Sequence, residues 1–275
     1  MDEIEGEAEG AEAKREAPLA KRLAIGLVPP AVLAWLSFLL PEIPLDTAFA
    51  DFVVFVSDTA YWGLMPWISI GAAVFVVTRP GLTIKRRVIE SGILSVVMVG
   101  ALAGVALLNE HVVKPAIGTP RPNIEALAEA GALGEYETGA EFYALGSKNE
   151  RREAIAPMIE AIEHLPLSQR VREHWAHETG YTFPSGHSTG SMSLAALMVA
   201  LGTAWMVGWR RRVLCTVMPL WALCVVYSRP LLRVHRPIDV AVGTLQGIVV
   251  GLLAFGAIQW LVNRIGHGQD QDQTS

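Results

Sequence analysis

The chain has 275 residues, of which 52% are hydrophobic and only 18% charged, with a formal net charge of −5 at pH 7. A water-soluble domain of this size carries about a quarter charged residues, so the composition excludes an ordinary soluble protein and points to the membrane. The first eighteen residues hold seven acids against Lys14 and Arg15 and account for the whole net charge; the balanced remainder offers no basic stripe for nucleic acid.

Residues 1–20 are dominated by Glu, Ala and Gly. They lack the apolar h-region of a signal peptide and too little of them is apolar to fold, which predicts a disordered acidic cytoplasmic tail. Six segments then come near the roughly 20 apolar residues a spanning helix needs: Leu23–Leu40, Trp62–Thr78, Val88–Leu108, Ser188–Val207, Val213–Ser228 and Ile238–Val262. The second and fifth are short, implying little tilt or continuation into the flanks. Pro29 and Pro30 are expected to kink the first. Cys215 and Cys224 share one helix on nearly opposite sides and imply no disulfide.

Basic residues set the orientation. Lys14, Arg15, Lys21 and Arg22 precede the first span. Arg79, Lys85, Arg86 and Arg87 join the second to the third, Arg210, Arg211 and Arg212 join the fourth to the fifth, and Arg264 follows the sixth. With six spans all lie on one side, which the positive-inside rule makes cytoplasmic. The first opposite loop carries only the acids Glu42, Asp46, Asp51 and Asp58. The expected fold is therefore all-α: a polytopic membrane protein with six transmembrane helices over 21–262, both termini cytoplasmic, and a short tail at 263–275.

Residues 109–187 form a long polar insert facing the opposite side of the membrane. Ile155, Ile159, Ile162 and Leu165 recur at helical spacing, and Ser168 is placed to cap a second helix through His174 and Trp175, ending near Gly180. A small helical cap is the expectation. No internal repeat marks an inverted-repeat transporter.

Three polar clusters lie at the outer ends of the expected spans: Lys114 with Arg121-Pro122, Pro184-Ser185-Gly186-His187, and Ser228-Arg229 with His235 and Asp239. Lys114, Arg121 and Arg229 are three cations with no carboxylate evident beside each in the sequence, and gathering them at a desolvated site requires an anion. Arginine's fork matches phosphate oxygens and lysine supplies a point charge. Ser185 and Gly186 open a helix whose free N–H groups favour an anion. The implied ligand is a phosphate. His235 and Asp239, four apart at a helix start, let the carboxylate accept from one ring nitrogen and leave the other as a nucleophile. His187, from another helix, is placed to protonate the leaving group.

A metal held by His187, His235 and Asp239 is the weaker reading, since it explains neither the cations nor the Ser-Gly helix start. His111, His164, His174, His177 and His267 are read as ordinary polar residues, and Arg172, Arg233 and Arg236 as helix-end cations that snorkel or follow the topology rule. Trp62, Trp67 and Trp175 are read as interface markers.

These motifs resemble the type 2 phosphatidic acid phosphatase superfamily, whose pattern K-x6-R-P, P-S-G-H and S-R-x5-H-x3-D stands complete here. The resemblance implies His235 as nucleophile, Asp239 as its orienting group, His187 as the residue serving the leaving group, and Lys114, Arg121, Ser185, Gly186 and Arg229 as the phosphate cradle, with no metal or other cofactor. Glu141-Phe142-Tyr143, Arg172-Glu173-His174-Trp175 and Glu178-Thr179-Gly180-Tyr181 resemble the bacterial phosphatidylglycerophosphatase B group. That resemblance implies an inner-membrane enzyme whose site faces the periplasm and whose substrates are lipid phosphates such as phosphatidylglycerophosphate or undecaprenyl pyrophosphate. The acidic extension and much of the cap depart from the group. Phosphotransfer to a second lipid, and a non-catalytic lipid-phosphate binder or transporter, are the competing functions; six spans argue against a soluble vanadate-binding haloperoxidase.

Overall fold

The computed structural model describes residues 17–61, 63–161 and 165–272, with side chains as far as Ile265. Most of the acidic tail, Trp62, Ile162, His164 and the His267 side chain lie outside the described residues. The elements are α1 (Leu19–Trp35), α2 (Ala48–Asp58), α3 (Met65–Val77), α4 (Ile84–Leu108), α5 (Lys114–Ile117), α6 (Pro122–Glu129), α7 (Gly139–Tyr143), α8 (Lys148–Ala161), α9 (Gln169–His177), α10 (Gly186–Trp205), α11 (Gly208–Leu231) and α12 (Pro237–Asp272). A 3-10 turn follows α1 and a π-helical turn, Asn109–Val113, joins α4 to α5. Among the described residues there is no strand, only an isolated bridge between Leu45 and Leu167.

Among the described residues, four helical segments are long and apolar enough to cross a membrane: Leu19–Leu39, Ile84–Ile117, Gly208–Leu231 and Pro237–Ile265. On length and composition, four of the six expected spans are thus seen. Met65–Val77 is apolar but has 13 residues, about 20 Å at 1.5 Å per residue. Gly186–Trp205 opens with His187, Ser188, Thr189, Ser191 and Ser193. Its side chains from Ser191 to Thr203 are all buried against protein, so it needs no apolar face of its own toward lipid. α1 runs on through Pro29 and Pro30 as one helix, although each proline leaves a carbonyl four residues back without its usual donor.

α10 is the central post, and α12 lies against it backbone to backbone. Gly243, Gly247 and Gly251 form the contact: a Cβ on each would stand 2.8 Å from the Ser185 carbonyl oxygen, 2.6 Å from that of Thr189 and 2.5 Å from that of Ser193. Small residues every fourth position permit this approach, and dispersion between the two backbones holds it. Beside it, Asn109 and Gln246 exchange side-chain amide hydrogen bonds of 2.8 and 2.9 Å, and the Thr189 hydroxyl donates to Gln246 at 3.0 Å. That network ties the π-turn, and with it the start of the first motif, to α10 and α12.

The basic residues gather at the far end of α10. Arg79 bonds to Glu90 at 2.7 Å and stacks over Trp205 with its guanidinium carbon 4.5 Å from the ring, Arg86 also reaches Glu90 at 2.9 Å, and Arg210 donates to the Phe75 carbonyl. The motif residues sit at the opposite end, where α10 begins.

Between α4 and α10 the chain forms α5 to α9, and these helices share an apolar cluster with residues from outside the insert. Ile124, Leu127, Phe142, Ile155, Val171 and Trp175 pack with Val53 and Val54 of α2 and with Leu232 and Val234 of the third motif's loop. Ser168 caps α9 as expected, accepting from Val171 N–H, though the helix ends at His177 rather than near Gly180. α2 was not anticipated, because its segment appeared only as an acid-bearing loop. Trp175 is not an interface marker: it is 2% exposed and its indole N–H donates to the Leu232 carbonyl at 2.9 Å.

Candidate active site

The three motif clusters converge. Arg121, in the turn before α6, is buried: Nε donates to the Gly180 carbonyl at 2.8 Å, and Nη1 lies 3.1 Å from the Val234 carbonyl and 3.1 Å from His235 Nε2. Arg229, near the end of α11, is wholly buried against Ser57, His174 and Glu178. Ser185 caps α10, and its own N–H donates to the Asp239 carbonyl at 3.0 Å, fixing the second motif to the third. Gly186 is open to the adjoining cavity, with nothing within 4 Å of where a Cβ would stand. His187 lines the same cavity with its ring stacked on Tyr61, centroids 6.3 Å apart. Lys114 is 6% exposed.

Two expectations are corrected here. The cations do have acids beside them, one brought from elsewhere by the fold and one four residues earlier in the same helical segment. Glu178 pairs with Arg121 at 2.8 Å and with Arg229, and Glu110 pairs with Lys114 at 2.8 Å and Lys148 at 3.0 Å. Nor does Asp239 bond directly to His235, since Oδ2 lies 3.6 Å from Nδ1. The buried Thr182 hydroxyl stands between them, 3.0 Å from Nδ1 and 2.5 Å from Oδ2.

Other residues read as incidental have definite places. His174 is buried, with Nε2 3.3 Å from Arg229. His177 is exposed and lines the cavity. Arg236 donates to both Glu125 oxygens, at 2.7 and 2.8 Å, and to the Pro120 carbonyl; Arg172 donates to the carbonyls of Ile159, Leu165 and Leu167. Arg172 holds the insert together and Arg236 ties it to the third motif, which snorkelling cations do not do. Cys215 and Cys224 are free thiols. Among the described residues no group of three or more His, Cys, Asp or Glu side chains is arranged to hold a metal ion.

The charges order the protonation states. Burial pushes the His235 imidazole well below the ordinary histidine range, and Arg121 and Arg229 push it further against the opposing pull of Glu178. Burial alone would raise Glu178, but Arg121 and Arg229 outweigh it and hold the carboxyl well below the usual range. The site therefore presents a neutral imidazole beside two arginines bridged by a carboxylate.

The PAP2 superfamily model matches residues 92–263, a stretch that contains all three clusters. The chain belongs to the PAP2 superfamily. Within it, the chain is 34% identical over 173 residues to phosphatidylglycerophosphatase B of Escherichia coli (strain K12), covering 62% of each protein. It is 31% identical over 145 residues to phosphatidylglycerophosphatase B of Haemophilus influenzae, covering 51% of this chain and 56% of that one. The match thus spans less than two thirds of either relative. Neither Glu178 nor Thr182 belongs to the three PAP2 motifs as written, but both stand in the short run that leads into Pro184, seven and three residues before Ser185.

Proposed function

We propose that this PAP2 protein is a membrane lipid phosphate phosphatase that works through a phosphohistidine at His235. The observation that carries the reading is a cavity of about 410 Å³ with two unlike ends. Lys114, Arg121, Glu178 and His187 line one end; Met65, Ile70, Met98, Val99 and Leu102, from α3 and α4, line the other. A substrate with a phosphate head and an apolar tail matches both, its tail remaining in the bilayer while its head reaches the cations. The relatives' name points to phosphatidylglycerophosphate, and a lipid pyrophosphate fits the same description.

In the proposed reaction the substrate phosphate displaces the Glu178 carboxylate from Arg121 and Arg229, which then hold its oxygens with Lys114 and the N–H groups at the start of α10. His235 Nε2 attacks phosphorus, forming a P–N bond as the P–O bond to the leaving group breaks, and His187 gives that oxygen its proton. Water then attacks, His187 takes a proton from it, the P–N bond breaks, and inorganic phosphate leaves. α3 and α10 complete six spans with the four long apolar helices, with the basic end cytoplasmic and the site periplasmic.

The test is phosphate release by detergent-purified protein in excess chelator from phosphatidylglycerophosphate, undecaprenyl pyrophosphate and phosphatidic acid. Release that disappears in His235→Ala is expected. An unimpaired His235→Ala variant would sink the mechanism. Absence of release by folded wild-type protein would favour phosphotransfer to an acceptor lipid or simple binding.

A further inference from the structure

Thr182 occupies a position that no motif of this site assigns. It is fully buried, and its backbone N–H is anchored to the Thr119 carbonyl at 3.0 Å. Its hydroxyl touches both members of the His-Asp pair, at 3.0 and 2.5 Å, while their direct separation of 3.6 Å is too long for a hydrogen bond. Asp239 is not free to close that gap, because the same Oδ2 also accepts from the Arg236 N–H at 2.7 Å.

A hydroxyl has one proton to give and lone pairs to receive. Ionised Asp239 can only accept, so the Thr182 proton is directed to Oδ2. Its lone pair then faces His235 Nδ1, which must carry the ring proton. Nε2 is left bare, on the side where Arg121 Nη1 lies 3.1 Å away. As a bond to phosphorus forms at Nε2, the ring becomes cationic, and its Nδ1–H bond to a hydroxyl already polarised by Asp239 strengthens.

We propose that Thr182 is the positioning residue through which Asp239 orients His235 and fixes its tautomer, making the working unit His235–Thr182–Asp239. This rests on the phosphatase reading given above. Valine at 182 keeps the volume, cannot accept from Nδ1 and keeps the pair apart. Serine keeps the hydroxyl. Alanine opens room for a direct His235–Asp239 contact.

The test compares Thr182→Val, Thr182→Ser and Thr182→Ala by kcat and KM on the best lipid substrate, with orthovanadate affinity measured by calorimetry as a readout that needs no turnover. Thr182→Val should lose about 10²-fold or more in kcat, within the range that general-base and tautomer defects produce, with KM little changed. Thr182→Ser should stay close to wild type and Thr182→Ala should fall between. In an Asp239→Asn background Thr182→Val should cost little more, because residues acting as one unit are not additive. Vanadate should bind about tenfold more weakly to Thr182→Val, the worth of one hydrogen bond to a charged group. Near-normal turnover in Thr182→Val, or multiplicative losses with Asp239→Asn, would overturn the proposal. Where size exclusion shows Thr182→Val misfolded, equal losses in Ser and Ala would overturn it instead. Failure of wild type to hydrolyse any lipid defeats the phosphatase reading, yet vanadate still decides on Thr182: wild type and Ser tighter than Val supports it, and equal affinities reject it.

Discussion

At the scale of single residues the site is a set of charges whose states depend on one another, and this has a consequence for stability. His235 in the folded protein has a pKa well below its ordinary value, so as pH falls below about 6.5 the unfolded chain binds a proton that the folded one refuses. Stability is then lost progressively from that pH downward. Glu178, also depressed, adds a second loss as pH falls below its unfolded value of about 4.3. The thermal midpoint of the substrate-free protein should decline as pH falls through these two windows. His235→Gln, which cannot titrate, should make the first decline shallower and leave the second; an unchanged first window in that variant would show that His235 does not titrate as described. The motif residues behind this behaviour were legible in the sequence, because scarce polar chemistry at fixed spacing stands out against apolar spans. Glu178 was not recognised as their partner, since an acid 51 positions before Arg229 carries no mark of the contact until the fold makes it. Thr182 was hidden for a different reason: a threonine near a turn is common, and only its placement between His235 and Asp239 gives it a role.

At the scale of elements, the site depends on how closely α10 and α12 approach, since Ser185 and His187 begin one helix and Asp239 the other. Gly247 is the middle of the contact. Alanine there would place Cβ 2.6 Å from the Thr189 carbonyl oxygen and 2.9 Å from Met192 Cβ, and backbone cannot yield as a flexible side chain would. Overpacking of this kind costs about 1–3 kcal/mol. Gly247→Ala should lower the thermal midpoint and the activity together, and Gly247→Leu should prevent folding. Gly100→Ala in α4, where a Cβ meets nothing within 4 Å, serves as the control and should leave both unchanged. A Gly247→Ala protein as stable as that control would show that the approach is not needed. The glycines at 243, 247 and 251 were visible in the sequence as a period of four, but a small-residue stripe does not say which helix it faces. Helix α2 escaped notice because Asp46, Asp51 and Asp58 made its segment look like a loop, although Val53 and Val54 are buried in the core of the insert.

At the scale of the whole molecule, the question is how a bilayer lipid meets a buried imidazole. The sequence showed that the polar clusters share one end of the bundle, and the structure bears this out. It could not show the cavity, which is lined by residues of α3, α4, the insert and the start of α10. Ala106 lines that cavity from α4 and has no part in the cation cluster. Ala106→Trp would fill the passage with a side chain that the phosphate end does not contact. If the passage seats the lipid tail, losing contact with only two methylenes costs about 1.6 kcal/mol, roughly fifteenfold in affinity. KM for long-chain lipid phosphates should rise by about that factor or more, while hydrolysis of p-nitrophenyl phosphate, which has no tail, should be unaffected. Equal losses on both substrates would mean that the substitution disturbs the catalytic end. Equal retention of both would mean that the lipid tail is seated somewhere other than the gap between α3 and α4.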